Sequence, residues 1–258
     1  MYKLTAVIIT KNEEKNIVNC LASLKGLCDE IIVVDDLSVD ATVEICKRFG
    51  AQVISHESKM NFDKQRNLGI ECASGDWILQ MDADEIVPED TAHKIKETLR
   101  EPKDFVAFKL RRKNYILNYP LKHINYGYMI KIFKKGKAVY IGNSVHETLR
   151  VDGPIGCIDS SEVYHYPFNS VREVIEKWNL YTDREADLFL KGVNKIDFKE
   201  IRYRLTWKSV KLFWKLYIRK KGYRDGRYGL VWCVLNVIGP QIRWLKIWEK
   251  AVKDGKLK

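Results

Sequence analysis

No Cys-x-x-Cys pair occurs among the six cysteines, Cys20, Cys28, Cys46, Cys72, Cys157 and Cys233. That absence argues against a zinc knuckle, and the scattered spacing argues against a disulfide framework. The thiols are read as small core residues in a reducing compartment. No basic segment followed by an apolar core and a cleavage site opens the chain, so no secretory signal is expected. No run reaches the ~20 apolar residues that a membrane-spanning helix needs. The apolar stretch Leu230–Ile242 is short and interrupted by Asn236, Gly239 and Pro240. Glycine is absent from Thr10-Lys11-Asn12-Glu13-Glu14, where a sugar nucleotidyltransferase would need it to cradle a triphosphate. Acidic residues are scarce at the end of the chain. Residues 201–258 hold Asp225, Glu249 and Asp254 against 16 Lys/Arg, whereas residues 1–200 hold 31 acidic and 29 basic residues. The net charge of +11 therefore arises from the last segment, which also carries Trp207, Trp214, Trp232, Trp244 and Trp248.

What is present points to a globular α/β chain. At 258 residues and 46% hydrophobic content it can bury a full core. Leu4–Thr10, Ile31–Val34, Gln52–Ser55 and Trp77–Met81 read as strands. Glu13–Leu24, Thr42–Phe49, Phe62–Cys72 and Asp90–Leu99 have helical spacing, with Asp40 as a cap for the second helix and Gly50 as its stop. Strands alternating with helices imply right-handed crossovers and a mostly parallel sheet. Phe105–Arg112 and Met129–Phe133 are further strands. The segment between them carries Tyr115, Tyr119, Tyr126 and Tyr128, read either as sugar-stacking rings or as ordinary packing.

The strand Trp77–Met81 runs straight into Asp82-Ala83-Asp84-Glu85. Crowded carboxylates at an apolar strand end raise one another's pKa, and a divalent cation bridging to a phosphate relieves that conflict. In a parallel sheet, ligands bind beyond the carboxyl ends of the strands. Glu13 and Glu14, Asp35 and Asp36, and Asp82 to Glu85 all lie at such ends. Each alone also suits a helix N-cap; together they mark one edge.

Four segments carry a resemblance: 7–14 (VIITKNEE), 32–42 (IVVDDLSVDAT), 64–69 (KQRNLG) and 75–85 (GDWILQMDADE). In that order they resemble glycosyltransferase family 2. The segment 143–147 (NSVHE), with Leu230–Glu249, further resembles the branch of β-glucosyltransferases of lipopolysaccharide-core biosynthesis. Asp36-Leu37 departs from the small Ser-Gly pair expected there. The resemblance implies a GT-A fold, a Rossmann-like, mostly parallel sheet; the charge and tryptophan asymmetry places its edge near residue 195, giving a catalytic domain at 1–195 and a basic, Trp-rich helical extension at 196–258. Residues 1–100 would form the nucleotide-sugar half and 101–195 the acceptor half. It also implies an inverting transfer from a UDP-sugar, with Mg²⁺ or Mn²⁺ as cofactor.

The implied roles follow residue by residue. Thr10, Asn12 and Glu13 would line the nucleotide, with Glu13 accepting from the ribose hydroxyls. Asp35 would accept from uracil N3–H, and Arg66 would meet the diphosphate with its guanidinium fork. Asp82 and Asp84 resemble the Asp-x-Asp pair, Asp84 being the direct metal ligand and His165 a further one. Glu85 is read as supporting the metal site or as a first-turn acid of the next helix. An inverting transfer to a hydroxyl needs a base. Glu147 is the expected base, with His146 beside it.

The tail mixes Trp and aliphatic residues with Lys and Arg, the pattern of a helix lying on an anionic membrane surface. Packing on the catalytic domain or an oligomer contact is the competing reading. The expected acceptor is a glycolipid or lipid-linked oligosaccharide at the inner face of the cell membrane, in a cytoplasmic, peripheral enzyme. The alternatives are a polyprenyl-phosphate glycosyltransferase and, more remotely, a non-enzymatic nucleic-acid or membrane binder. No nucleic-acid recognition motif is visible.

Overall fold

The computed structural model describes residues 2–58, 61–124, 127–142, 148–167 and 169–258. Tyr126, His146 and Glu147 therefore lie outside the described residues. The chain divides into two compact units. The first comprises residues 1–113 and 126–166, and the second comprises residues 114–125 and 167–258. Composition places an edge near residue 195; the second unit takes in residues 114–125 and the chain from Pro167 onward.

The first unit is built on the strands β1 (Leu4–Thr10), β2 (Glu30–Asp35), β3 (Gln52–Ser55) and β4 (Trp77–Asp82). They run parallel in the order β3-β2-β1-β4. The crossovers are the helices α1 (Ile17–Leu24), α2 (Thr42–Arg48) and α3 (Phe62–Cys72). Past β4 come the two-residue strand β5 (Glu85–Ile86) and the helix α4 (Glu89–Arg100). The strands β6 (Ala107–Ile116), β7 (Tyr119–Pro120), β8 (Tyr128–Lys134), β9 (Ala138–Tyr140), β10 (Leu149–Val151) and β11 (Ile155–His165) follow. The sheet continues from β4 through β8, β6, β11 and β5, and β8 is antiparallel to β4 and to β6.

Alternation along β1 splits the core into two layers. Leu4, Ala6 and Ile8 face a cluster holding Cys20, Leu21 and Leu24 of α1, Cys46 of α2, and Ile95 and Leu99 of α4. Val7 faces the other way, with Ile32, Val34, and Ile70 of α3. The continuous apolar run of β2 is buried because helices cover both faces. On α3, Gly69 permits close approach to the sheet. A Cβ there would overlap Val7 Cγ1 and come within 3.1 Å of Val34 Cγ2. Arg66, one turn earlier, is thereby held against the sheet edge.

Several boundaries differ from expectation. α1 starts at Ile17, and the Glu13 carbonyl accepts from the Asn16 and Ile17 N–H groups at 2.9 Å. α4 starts at Glu89, so Glu85 is a strand residue and not a first-turn acid. β6 runs on to Ile116 and turns into β7 through Leu117 and Asn118, both at positive φ, as a tight hairpin of this twist requires. Asp40 does hold the start of α2: its Oδ1 accepts from the Thr42 N–H at 3.0 Å and hydroxyl at 2.5 Å. Of the six free cysteines, Cys20, Cys46 and Cys233 are buried, while Cys72 and Cys157 are exposed and so are not core residues.

The second unit holds the end of β6, β7 and the helices α5 (Val171–Lys191), α6 (Phe198–Leu205), α7 (Trp207–Trp214) and α8 (Gly226–Lys253). A π-type turn, Lys215–Arg219, and a 3₁₀ turn, Gly222–Asp225, join α7 to α8. α8 continues through Asn236, Gly239 and Pro240, residues that read as interruptions. Packing explains the continuity. Gly239 sits on the Trp178 ring, where a Cβ would be 3.1 Å from Cε2. Arg243, Lys246 and Lys250 bridge to Glu185, Asp183 and Asp187 of α5. Among the described residues no helix is long and apolar enough to cross a membrane.

Candidate functional site

The register of the parallel strands brings three chain ends into a row. Thr10 pairs with Asp35 across β1 and β2, and Ile9 pairs with Asp82 across β1 and β4. Asp35 is buried, and its carboxylate accepts from the Ser38 N–H at 2.9 Å and the Ser38 hydroxyl at 2.5 Å. Asn12, at φ 53°, donates its N–H to Ser38 Oγ at 2.8 Å, and its Oδ1 accepts from the Val39 N–H at 2.9 Å. The Glu13 N–H reaches Thr42 Oγ1 at 2.9 Å, and Glu13 Oε2 accepts from Asn16 Nδ2 at 2.7 Å. The loops after β1 and β2 are thus bonded into a single rim. Thr10 Oγ1 lies buried in it with no hydrogen-bond partner among the described residues. Asp36 accepts from the Ser58 N–H and hydroxyl and pairs with Lys11 at 3.1 Å. Burial raises its carboxyl pKa, but those donors outweigh burial and hold it below the usual range.

The Asp-x-Asp segment forms the other side. Arg66, nearly buried, meets Asp82 Oδ1 at 2.9 Å and lies 5.5 Å from the centre of the Tyr140 ring. Lys131 Nζ stands 3.8 Å from Asp82 Oδ2. Burial raises the Asp82 carboxyl; Arg66 first, then Lys131, His165 and Arg112, draw it far below the usual carboxylate range. Asp82 therefore stays ionised at any physiological pH. Glu85 is fully buried and pairs with Lys131 Nζ, with Arg112 at 3.8 Å; its Oε2 also accepts the Asp82 N–H at 3.0 Å. β5 lies antiparallel to the end of β11, with Glu85 opposite His165. The Tyr166 N–H donates to the Asp84 carbonyl at 2.8 Å, and His165 Nε2 comes within 3.6 Å of Asp84 Oδ2.

The structure therefore gathers Thr10, Asn12, Glu13 and Asp35 on one rim, and Arg66, Asp82, Asp84 and His165 beside it. The expected set Asp82, Asp84 and His165 does not close into a metal cage. Among the described residues no group of three His, Cys, Asp or Glu side chains is arranged to hold a metal ion. Asp82 points one oxygen at Arg66, while Asp84 and His165 stand together. Two protein donors suit a cation that completes its shell with water and substrate phosphate. Glu147 and His146 fall in the 143–147 segment outside the described residues.

Sequence reasoning did not single out Lys131 and Arg112. Lys131, on β8, is one base among apolar neighbours and looks like a solvent-facing strand position, while Arg112, on β6, is hidden in the basic run Arg111-Arg112-Lys113. The signal was Lys131 between Ile130 and Ile132, facing the same edge as three acids that need cations.

Residues 5–150 match the model of "Glycosyl transferase family 2". The chain is similar to the lipopolysaccharide core biosynthesis glycosyltransferase LpsC of Rhizobium meliloti, with 24% identity over 96% of this chain and 92% of that one. Among solved structures it is similar to Staphylococcus aureus TarS 1–349, with TM-score 0.48 and 15% identity over 98% of this chain and 92% of that one. It is also similar to glucosyl-3-phosphoglycerate synthase of Mycobacterium tuberculosis in complex with Mn²⁺, UDP-glucose and phosphoglyceric acid. There the TM-score is 0.37, with 24% identity over 43% of this chain and 44% of that one.

Proposed function

The chain belongs to glycosyl transferase family 2, and from that premise we propose that it moves a sugar from a UDP-sugar to a glycan hydroxyl with inversion at the anomeric carbon. Glucose is the sugar implied by the sequence resemblance. The relative named for lipopolysaccharide core biosynthesis supports a lipid-linked or lipopolysaccharide-core acceptor. On this reading the enzyme works at the inner face of the membrane.

One observation carries the proposal: the Arg66–Asp82 and Asp84–His165 pairs stand side by side at the carboxyl edge of the parallel strands. The uridine would lie along the rim, with Asp35 accepting from the base and Glu13 from the ribose. Asp35 already binds two donors of Ser38, so its orientation is fixed before substrate arrives. Arg66 would turn its remaining N–H groups to the diphosphate while Asp82 anchors it. Asp84 and His165 would hold Mg²⁺ or Mn²⁺, which when bound neutralises charge on the departing UDP. Glu147 would take the acceptor proton as the hydroxyl oxygen bonds to the anomeric carbon and the bond to the diphosphate oxygen breaks.

The test is a melting-temperature screen of UDP- and GDP-sugars with and without Mn²⁺. A UDP-sugar should raise the melting temperature only with the metal present. Asp84→Ala should abolish that rise and cut transfer by about a thousandfold or more, since electrostatic stabilisation of a leaving diphosphate is a large part of catalysis. If no nucleotide sugar protects the wild-type chain, the proposal is wrong.

A further inference from the structure

The outer face of α7 carries two adjacent stripes. Trp207, Val210, Trp214 and Ile218 recur at i, i+3, i+7 and i+11, and are 66%, 59%, 59% and 38% exposed. Lys208, Lys211, Lys215 and Arg219 repeat the same spacing one residue later, all exposed. At 100° per residue each set forms one row, and the basic row flanks the apolar row. The inner face of the same segment is already used. Phe213, Leu216 and Tyr217 pack on a cluster containing Ile124, Val174 and Trp232. The outer stripe is thus not a core face left over from the helix's own packing.

The charges separate this face from the seam between α5 and α8. Arg243, Lys246 and Lys250 of α8 meet carboxylates of α5, and Arg204 meets Glu200. Among the described residues none of the four bases on this face pairs with a carboxylate; Lys211 lies over the Tyr203 ring. Residues 201–224 contain nine Lys/Arg and no Asp or Glu.

We infer that this face of α7 and the following turn lies in the plane of an anionic lipid surface, with both tryptophans in the headgroup–acyl boundary and the basic row on the lipid phosphates. The inference rests on the lipid-linked acceptor proposed above and names the surface that meets it. A second copy of the chain would set this cationic row against its own image, which is repulsive. Nucleic acid would engage the tryptophans by stacking but gives Val210 and Ile218 nothing to bury in. The in-plane orientation agrees with the absence of a spanning helix among the described residues.

The experiment is co-sedimentation of the full chain with phosphatidylcholine vesicles and with vesicles containing phosphatidylglycerol, across a salt series. Binding should require the anionic lipid and weaken with salt. Lys208→Gln, Lys211→Gln and Lys215→Gln should each lower the partition coefficient about fivefold. Trp207→Ala with Trp214→Ala should lower it about tenfold per residue while leaving the melting temperature unchanged, because both rings are exposed. No sedimentation of the wild type, or equal sedimentation of the tryptophan variant, overturns the inference. So does a dimer that the tryptophan variant converts to monomer, or an oligonucleotide whose affinity falls in that variant while vesicle binding does not. Protection by a UDP-sugar is measured on the same samples without lipid. Its failure with vesicle binding intact would sink the donor reading alone, and the reverse result would sink the membrane face alone.

Discussion

The two units place their charges oppositely. In the first unit the decisive charges are buried: Glu85 with Lys131, and Arg66 with Asp82, converge on one sheet edge. In the second unit the ion pairs run along the outside of α5 and α8, and large apolar side chains such as Trp207 and Trp214 face outward. Inward charge holds a rigid polar site at a fixed potential, which suits binding a diphosphate. Outward charge beside outward tryptophan is of little use to a core and suits adhesion. One chain thus puts the same residue types to opposite uses, buried in the first unit and exposed in the second.

That contrast breaks most visibly at Lys131. Lys131→Met strips the fully buried Glu85 of its close cation, leaving Arg112 at 3.8 Å. The expected loss is about 3–5 kcal/mol by denaturant unfolding, largely recovered in the Glu85→Gln/Lys131→Met double variant. Arg204→Gln in the second unit, which removes a partly exposed pair with Glu200, should cost under ~1 kcal/mol. Equal costs for the two single variants would end the contrast.

The second unit has one acid that behaves like those of the first. Asp225 is buried and accepts from the backbone N–H groups of Lys122, His123 and Ile124 at 2.9, 3.0 and 3.2 Å. Burial raises its carboxyl pKa, but the Lys122 N–H, the His123 side chain and the other N–H groups outweigh burial and hold it below the usual value. A depressed folded pKa contributes stability above the unfolded value of about 4 and loses it as pH falls through the folded value. Asp225→Ala should therefore cost about 2 kcal/mol or more at neutral pH, with the gap to wild type closing in acid. A gap that stays constant down to acid pH would show that the carboxylate charge is not what matters.

The smallest effect concerns Leu37. It stands exposed at φ 55°, where an L side chain is crowded and glycine is not. Leu37→Gly should raise stability by about 0.5–1 kcal/mol, read as a small rise in melting temperature. A fall would mean that the leucine side chain makes a contact worth more than the strain.

Much of the first unit was legible because each element carried its own signal. The bounds of β1, β3 and α3 were readable as printed in the sequence: apolar runs of strand length, helical spacing, and glycines at the joints. Asp82 and Asp84 were readable because carboxylates crowding an apolar strand end conflict locally. Of the cations that resolve the conflict, Arg66 was readable, but Lys131 and Arg112 were not, since they come from strands whose pairing with β4 and with each other is non-local. Of the two readings of Glu85, the first-turn acid fails because nothing nearby announces the two-residue strand that holds it. The unbroken α8 was hidden for a similar reason: Pro240 weakens a helix locally, and only packing against α5 maintains it. Leu37 was visible as a departure from the expected glycine, but its backbone angle was not.

The pairing of β5 with the end of β11 has a consequence for how the protein is made. The Asp82–Glu85 loop gains its last neighbours, His165 and Tyr166, from far down the chain, and Lys131 and Arg112 also arrive after it. Contacts of such large sequence separation form late and slowly. During synthesis the four parallel strands can assemble with Arg66 already beside Asp82, while Glu85 still lacks Lys131 and Arg112. The nascent chain cannot complete this pocket until the ribosome has released Tyr166.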